Sequence, residues 1–111
     1  MEFGLKDRTT KQIISVFLSF PEVEEVFVFG SRAKGNFKNG SDIDLALKGK
    51  KCTAEIAMCI EAILNEELPL PYKFDVVNYS TISNPDFTGH IDRVGKVFYR
   101  KEEHPQNIKT L

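Results

Sequence analysis

Asp42 and Asp44 stand one residue apart in Ser41-Asp42-Ile43-Asp44-Leu45-Ala46-Leu47, where Ile43, Leu45 and Leu47 alternate with Asp42, Asp44 and Ala46. Period two marks a strand with one apolar and one polar face. Side chains two apart on a strand point the same way, with Cα atoms roughly 6.5–7 Å apart at a rise of about 3.3 Å per residue. Two carboxylates so placed can converge on a metal pair, whose ions lie about 3.5–4 Å apart in two-metal phosphoryl-transfer sites. Magnesium suits such a place, because it takes oxygen ligands, keeps waters and is held by a few carboxylates plus substrate phosphates. A bare Asp-x-Asp is also compatible with a solvated strand face. Asp is depleted in strands, however, so a pair on one face asks for a reason.

The preceding segment supplies one. Val26-Phe27-Val28-Phe29 is β-branched and aromatic, the composition of a buried strand, and it runs into Gly30-Ser31. Glycine lets the backbone turn and a ligand approach closely. Ser31 offers an amide and a hydroxyl to an anion. Arg32, Lys34 and Lys38 follow, and no acid lies between Val26 and Ser41. Donors for trailing phosphates beside carboxylates for metal are what a nucleoside triphosphate requires. A Walker loop is excluded: Gly30 and Gly35 have its gap, but Asn36-Phe37 stand where Lys and Ser/Thr are needed.

Gly30-Ser31, Gly35 and Ser41-Asp42-Ile43-Asp44-Leu45 together resemble the signature of the DNA polymerase beta-like nucleotidyltransferase superfamily. The length is similar to its minimal nucleotidyltransferase branch, the antitoxin type encoded beside a HEPN-domain protein. The resemblance runs from Thr10 to Tyr99. It implies an α+β fold like the polymerase beta palm: a small mixed three- to four-stranded sheet with helices covering one face and the aspartates on the other, open face. It implies transfer of a nucleotidyl group, AMP from ATP, to a hydroxyl. Gly30 and Ser31, joined by Arg32 and Lys34, would hold the triphosphate. Asp42 and Asp44 would bind metal, two Mg2+ ions with Mn2+ as a substitute.

Active members of the superfamily carry a third acid on a later strand, and this chain offers Asp75 in Tyr72-Lys73-Phe74-Asp75-Val76-Val77-Asn78. The resemblance gives Asp75 a share of the second metal and the activation of the acceptor hydroxyl. Read from the residues alone, Phe74, Val76 and Val77 argue for a buried strand, where a carboxylate is costly unless paired or metal-bound. By resemblance the acceptor is a tyrosine of a HEPN-domain toxin. The alternatives are a small-molecule or RNA acceptor, or a binding module that neutralises its partner by contact without turnover.

At 111 residues and 41% hydrophobic content the chain can form one core, with no room for a second, substrate-selecting domain. The expected organisation is a domain over 1–99 and a polar, frayed tail over 100–111. A net charge of −1 gives no overall nucleic-acid footprint, although Lys48, Lys50 and Lys51 extend a local basic rim. No stretch is long enough to span a membrane and no signal peptide opens the chain, so a cytoplasmic protein is expected. Cys52 and Cys59 lack zinc-ligand spacing and read as reduced thiols.

The elements that must position the site follow from periodicity and punctuation. Lys6–Phe20 carries a helical stripe of Ile13, Ile14, Phe17 and Leu18 that Pro21 ends. Arg32–Gly35 can open a short helix toward phosphate. Thr53 caps a helix to Leu64, and Leu68-Pro69-Leu70-Pro71 breaks the chain before the Asp75 strand. Asn84 caps a last helix with Pro85 at its first position and Phe87, Ile91 and Val94 on one face; Gly95 ends it before a short strand over Lys96–Tyr99. His90 lies on that helix with nothing nearby in sequence to complete an acid–base dyad.

Overall fold

The computed structural model describes residues 2–104 apart from 39 and 41. Ser41 of the signature and residues 105–111 of the expected tail therefore lie outside the described residues. In chain order the elements are α1 (Asp7–Leu18), β1 (Glu25–Phe29), α2 (Ser31–Lys34), β2 (Ile43–Lys48), α3 (Ala54–Glu66), β3 (Phe74–Asn78), α4 (Pro85–Val94) and β4 (Lys96–Arg100), with 3-10 turns at Glu2–Gly4, Tyr79–Thr81 and Lys101–Glu103.

Local chemistry accounts for the helix boundaries. Asp7 in the first turn of α1 complements the helix dipole, and Ile13, Val16 and Phe17 form the buried stripe. The Thr53 hydroxyl accepts the Ile56 amide at 3.2 Å at the head of α3. Asn84 accepts the Asp86 amide at 2.9 Å at the head of α4, where Pro85 has no N–H that would need an acceptor.

The four strands form one mixed sheet in the order β3-β2-β1-β4. β1 pairs antiparallel with both β2 and β4, and β2 pairs parallel with β3 across the α3 crossover. One face is the main core: Val26 and Val28, then Ile43, Leu45 and Leu47, then Phe74 pack against Ile13, Phe17, Ile60 and Leu64 of α1 and α3. This is the expected α+β fold. The opposite face is less open than expected, because α4 lays Ile91, Phe87 and Val94 over Phe29 and Ala46, with Val77 alongside, in a second, smaller core. The cause is alternation: Phe29, Ala46 and Val77 point away from the main core and need their own cover.

The pairing of β1 with β4 slips between Val26 and Phe27, which leaves Phe98 as a bulge. Phe98 stacks on Phe3 at 5.9 Å and meets Phe17 edge-on. Arg100, placed in the frayed tail by sequence, closes β4 and pairs with Glu25 at 3.0 Å. Lys101 donates to the Pro21 carbonyl at 3.0 Å.

Candidate active site

β1 ends at Phe29, and the chain turns on Gly30 at φ 75°, ψ −153° before α2 begins at Ser31. No other residue type adopts that conformation readily. The register pairs Phe29 with Asp44, so the turn lands beside the second aspartate of the pair. A Cβ at position 30 would collide with the Asp44 carboxylate. Glycine is therefore required twice, for its dihedral angles and for the room it leaves. α2 is short, its first amides have no carbonyl of their own helix to bond, and Gly35 closes it in the left-handed region with its amide on the Ser31 carbonyl at 2.9 Å.

The parallel register of β2 and β3 places Asp44 directly beside Asp75, on the polar face of both strands. The two carboxyls crowd one another, and the Asp44 pKa is raised by burial first, then by the charges of Asp75 and Asp42, with His90 opposing. Asp42 is exposed just ahead of β2, within electrostatic reach of Asp44. Asp44 and Asp75 thus form a close pair, while among the described residues no three acidic, His or Cys side chains are already gathered as ligands of one ion. The donor set fits a hard divalent cation: it is all carboxylate oxygen, and two of its members crowd one another in a way that a cation relieves.

Ser31 and Lys34 lie with the turn, partly buried and exposed respectively. Arg32 is turned elsewhere. It is 3% exposed, its Nη1 donates to the Phe3 carbonyl at 2.8 Å, and its guanidinium lies over the rings of Phe37 at 4.7 Å and Tyr72 at 4.9 Å. Aromatic faces and a carbonyl hold that flat cation where water would otherwise solvate it, so Arg32 pins α2 to the N-terminal turn and to the strand approach at Tyr72. A cleft of about 550 Å³ opens between Lys34, Gly35, Phe37 and Lys96 on that outer side of α2. Two further clefts, at Glu24–Arg100 and at Glu22–Lys51, are lined by none of the three aspartates.

His90 is the residue that the sequence alone did not bring to the site. It sits half-buried on α4, edge-on to Phe29 at 6.3 Å and within electrostatic reach of Asp44. Its spacing of three from Phe87 put it on the inward side of α4, but nothing in the chain said which sheet face α4 covers.

Fold and site together define a nucleotidyltransferase. Residues 11–104 match the family described as Polymerase beta, Nucleotidyltransferase, and the chain belongs to that family. It is 35% identical over 86 residues, covering 78% of this chain and 75% of the relative, to the Haemophilus influenzae protein named "Probable protein adenylyltransferase MntA". Among solved structures it resembles a chain of a toxin–antitoxin complex with AMP-PNP, with a TM-score of 0.68 at 19% identity over 91% of this chain and 82% of that one. It also resembles a chain in a complex of tri-AMPylated Shewanella oneidensis HEPN toxin with MNT antitoxin, with a TM-score of 0.58 at 16% identity over 95% of this chain and 85% of that one. At those identities the two structures speak to the fold.

Proposed function

We propose that this chain transfers AMP from ATP to a hydroxyl on a HEPN-type partner protein, as the antitoxin of a toxin–antitoxin pair. The observation that carries the reading is the Asp44–Asp75 carboxyl pair, set side by side on neighbouring strands, with Asp44 pressed against the Gly30 turn. The relative named as a protein adenylyltransferase and the neighbour containing an AMPylated HEPN toxin support the choice of group and acceptor.

In this reading the Ser31 amide and hydroxyl bind the trailing phosphates, and Lys34 adds charge from the exposed side of α2. Asp42, Asp44 and Asp75 would hold two Mg2+ ions, which when bound supply charge neutralisation at the reacting phosphorus. Asp75 orients the acceptor hydroxyl and takes its proton as the new oxygen–phosphorus bond forms. The bond between the α-phosphorus and the bridging oxygen breaks, and pyrophosphate leaves. The rate comes from positioning and charge compensation, since no covalent intermediate on the protein is called for. Arg32 contributes by holding α2 in place, and its burial argues against direct phosphate contact.

Incubation with ATP labelled at the α-phosphate, Mg2+ and a HEPN-domain protein from the same organism should put label on that protein, and ATP labelled at the γ-phosphate should not. Asp42→Ala and Asp44→Ala should each abolish the transfer with little loss of fold. Native-rate transfer by either variant would falsify the assignment. Tight nucleotide and partner binding with no label on any protein would select the contact-only module instead, and label on RNA or a small molecule would move the acceptor.

A further inference from the structure

β3 is an edge of the sheet, and an edge strand ordinarily leaves alternate N–H and C=O groups without a partner. Here α3 reaches over and takes three of them. The Asn65 amide group donates to the Phe74 carbonyl at 3.0 Å, and its oxygen accepts the Phe74 amide at 2.7 Å. Glu61 accepts the Val76 amide at 3.0 Å. Glu61 and Asn65 are four apart, so they stand one above the other on the same helix face and meet alternate residues of the strand.

The residue between those two anchor points is Asp75. The groups of Phe74 and Val76 face α3, and β2 takes the other edge of the strand through the register that sets Asp75 beside Asp44. An edge strand held by one ladder can pivot about it; a strand held on both edges cannot. Asn65 is itself exposed, so the core does not dictate its presence, yet both of its polar ends are spent on one backbone residue. We infer that Asn65 and Glu61 are positioning residues, which set where the Asp75 carboxylate stands relative to Asp44 by gripping the backbone on either side of it. The inference rests on the proposed function and names further residues on which that site depends.

The test compares Asn65→Ala, Glu61→Ala and Glu61→Gln with Ile63→Val, a mild packing change on the same helix that leaves the grip intact. Three readouts are taken below the melting temperature: amide exchange at Phe74 and Val76, Mn2+ affinity in the presence of AMP-PNP, and the rate of AMP transfer. The alanine variants should expose the two amides, weaken Mn2+ binding and cut kcat about tenfold or more, since a misplacement of about 1 Å can cost on the order of 10²-fold. KM for ATP should hold, because the Gly30 turn is not disturbed. Glu61→Gln should recover most of the rate, as its amide oxygen still accepts from Val76. Native Mn2+ affinity and native kcat in the alanine variants would overturn the inference, and so would a loss no greater than Ile63→Val causes at equal stability. A wild-type chain that neither binds Mn2+ with AMP-PNP nor transfers AMP would overturn the functional reading and this inference with it. A competent wild type with unaltered variants overturns the inference alone.

Discussion

Burial, and the neighbouring carboxyls of Asp75 and Asp42, raise the Asp44 pKa. The native chain therefore holds a proton over a pH range in which the unfolded chain has lost it. That contribution to stability is full below the unfolded value of about 3.9 and fades as pH rises through the folded value. Asp44→Asn should accordingly melt higher than wild type at neutral pH without metal, show a flatter dependence of Tm on pH above about 4, and transfer no AMP. A melting curve unchanged or lowered by this variant would show that the carboxyls are not crowded. Gly30→Ala should both destabilise, by about 1–3 kcal/mol for an alanine held in a conformation that is essentially glycine's alone, and silence the enzyme by striking Asp44; unfolding midpoints and transfer rates check the two effects separately. The strand, turn and strand that carry Gly30, Asp42 and Asp44 were legible from spacing, because these three residues lie within fifteen positions of one another. Arg32 was not. Its partners Phe3, Phe37 and Tyr72 come from three separate segments. A basic residue beside a phosphate turn reads as a phosphate ligand until the tertiary contacts that bury it are known. Arg32→Lys keeps the charge but loses the flat stacking surface, and it should lower Tm clearly while changing kcat less than Asp42→Ala does.

Among the elements, the helix ends carry the plainest signals and were the most readable. Thr53 and Asn84 each satisfy an orphan amide where the sequence placed them. Asn84→Ala should cost about 1 kcal/mol, measured as a lower denaturant midpoint with an unchanged slope. Since α4 carries His90 and roofs the sheet beside Phe29, the same variant also tests how firmly that roof must be held for transfer. What could not be read was which side of the sheet α4 would choose. Its stripe of Phe87, Ile91 and Val94 says that one face is buried, and the same stripe would fit either sheet face. The choice depends on the outward alternation of Phe29 and Ala46 on two other strands, and on the cover that α1 and α3 already give the opposite face. Local period reports the existence of an apolar face and is silent on its destination.

At the scale of the whole molecule, one small sheet sets the acidic pair beside the Gly30 turn, where the proposed function puts a metal–nucleotide complex. A ligand that binds only the folded chain stabilises it, by about 2.7 kcal/mol when present at a hundred times its Kd. ATP with Mg2+ should therefore raise Tm well beyond either alone, and Asp42→Ala should remove the joint increment. An unchanged melting curve with millimolar metal and nucleotide would count heavily against the site. Among the described residues no helix is long and apolar enough to cross a membrane, and both cysteines are free, Cys52 buried and Cys59 exposed.

The side-chain bonds from α3 along β3 have an effect beyond the single carboxyl they flank. Both backbone groups of Phe74 and the amide of Val76 are taken by α3, and the Asn78 carbonyl is taken by the Thr81 hydroxyl. At the far rim, the bulge at Phe98 bends β4 out of the flat geometry that an incoming strand would need. Neither margin of the sheet is an inviting template, so chain-to-chain growth by added strands is disfavoured even at high concentration. Recognition of another protein is then left to the helices and to the loops around the aspartates, where contact and chemistry can coincide.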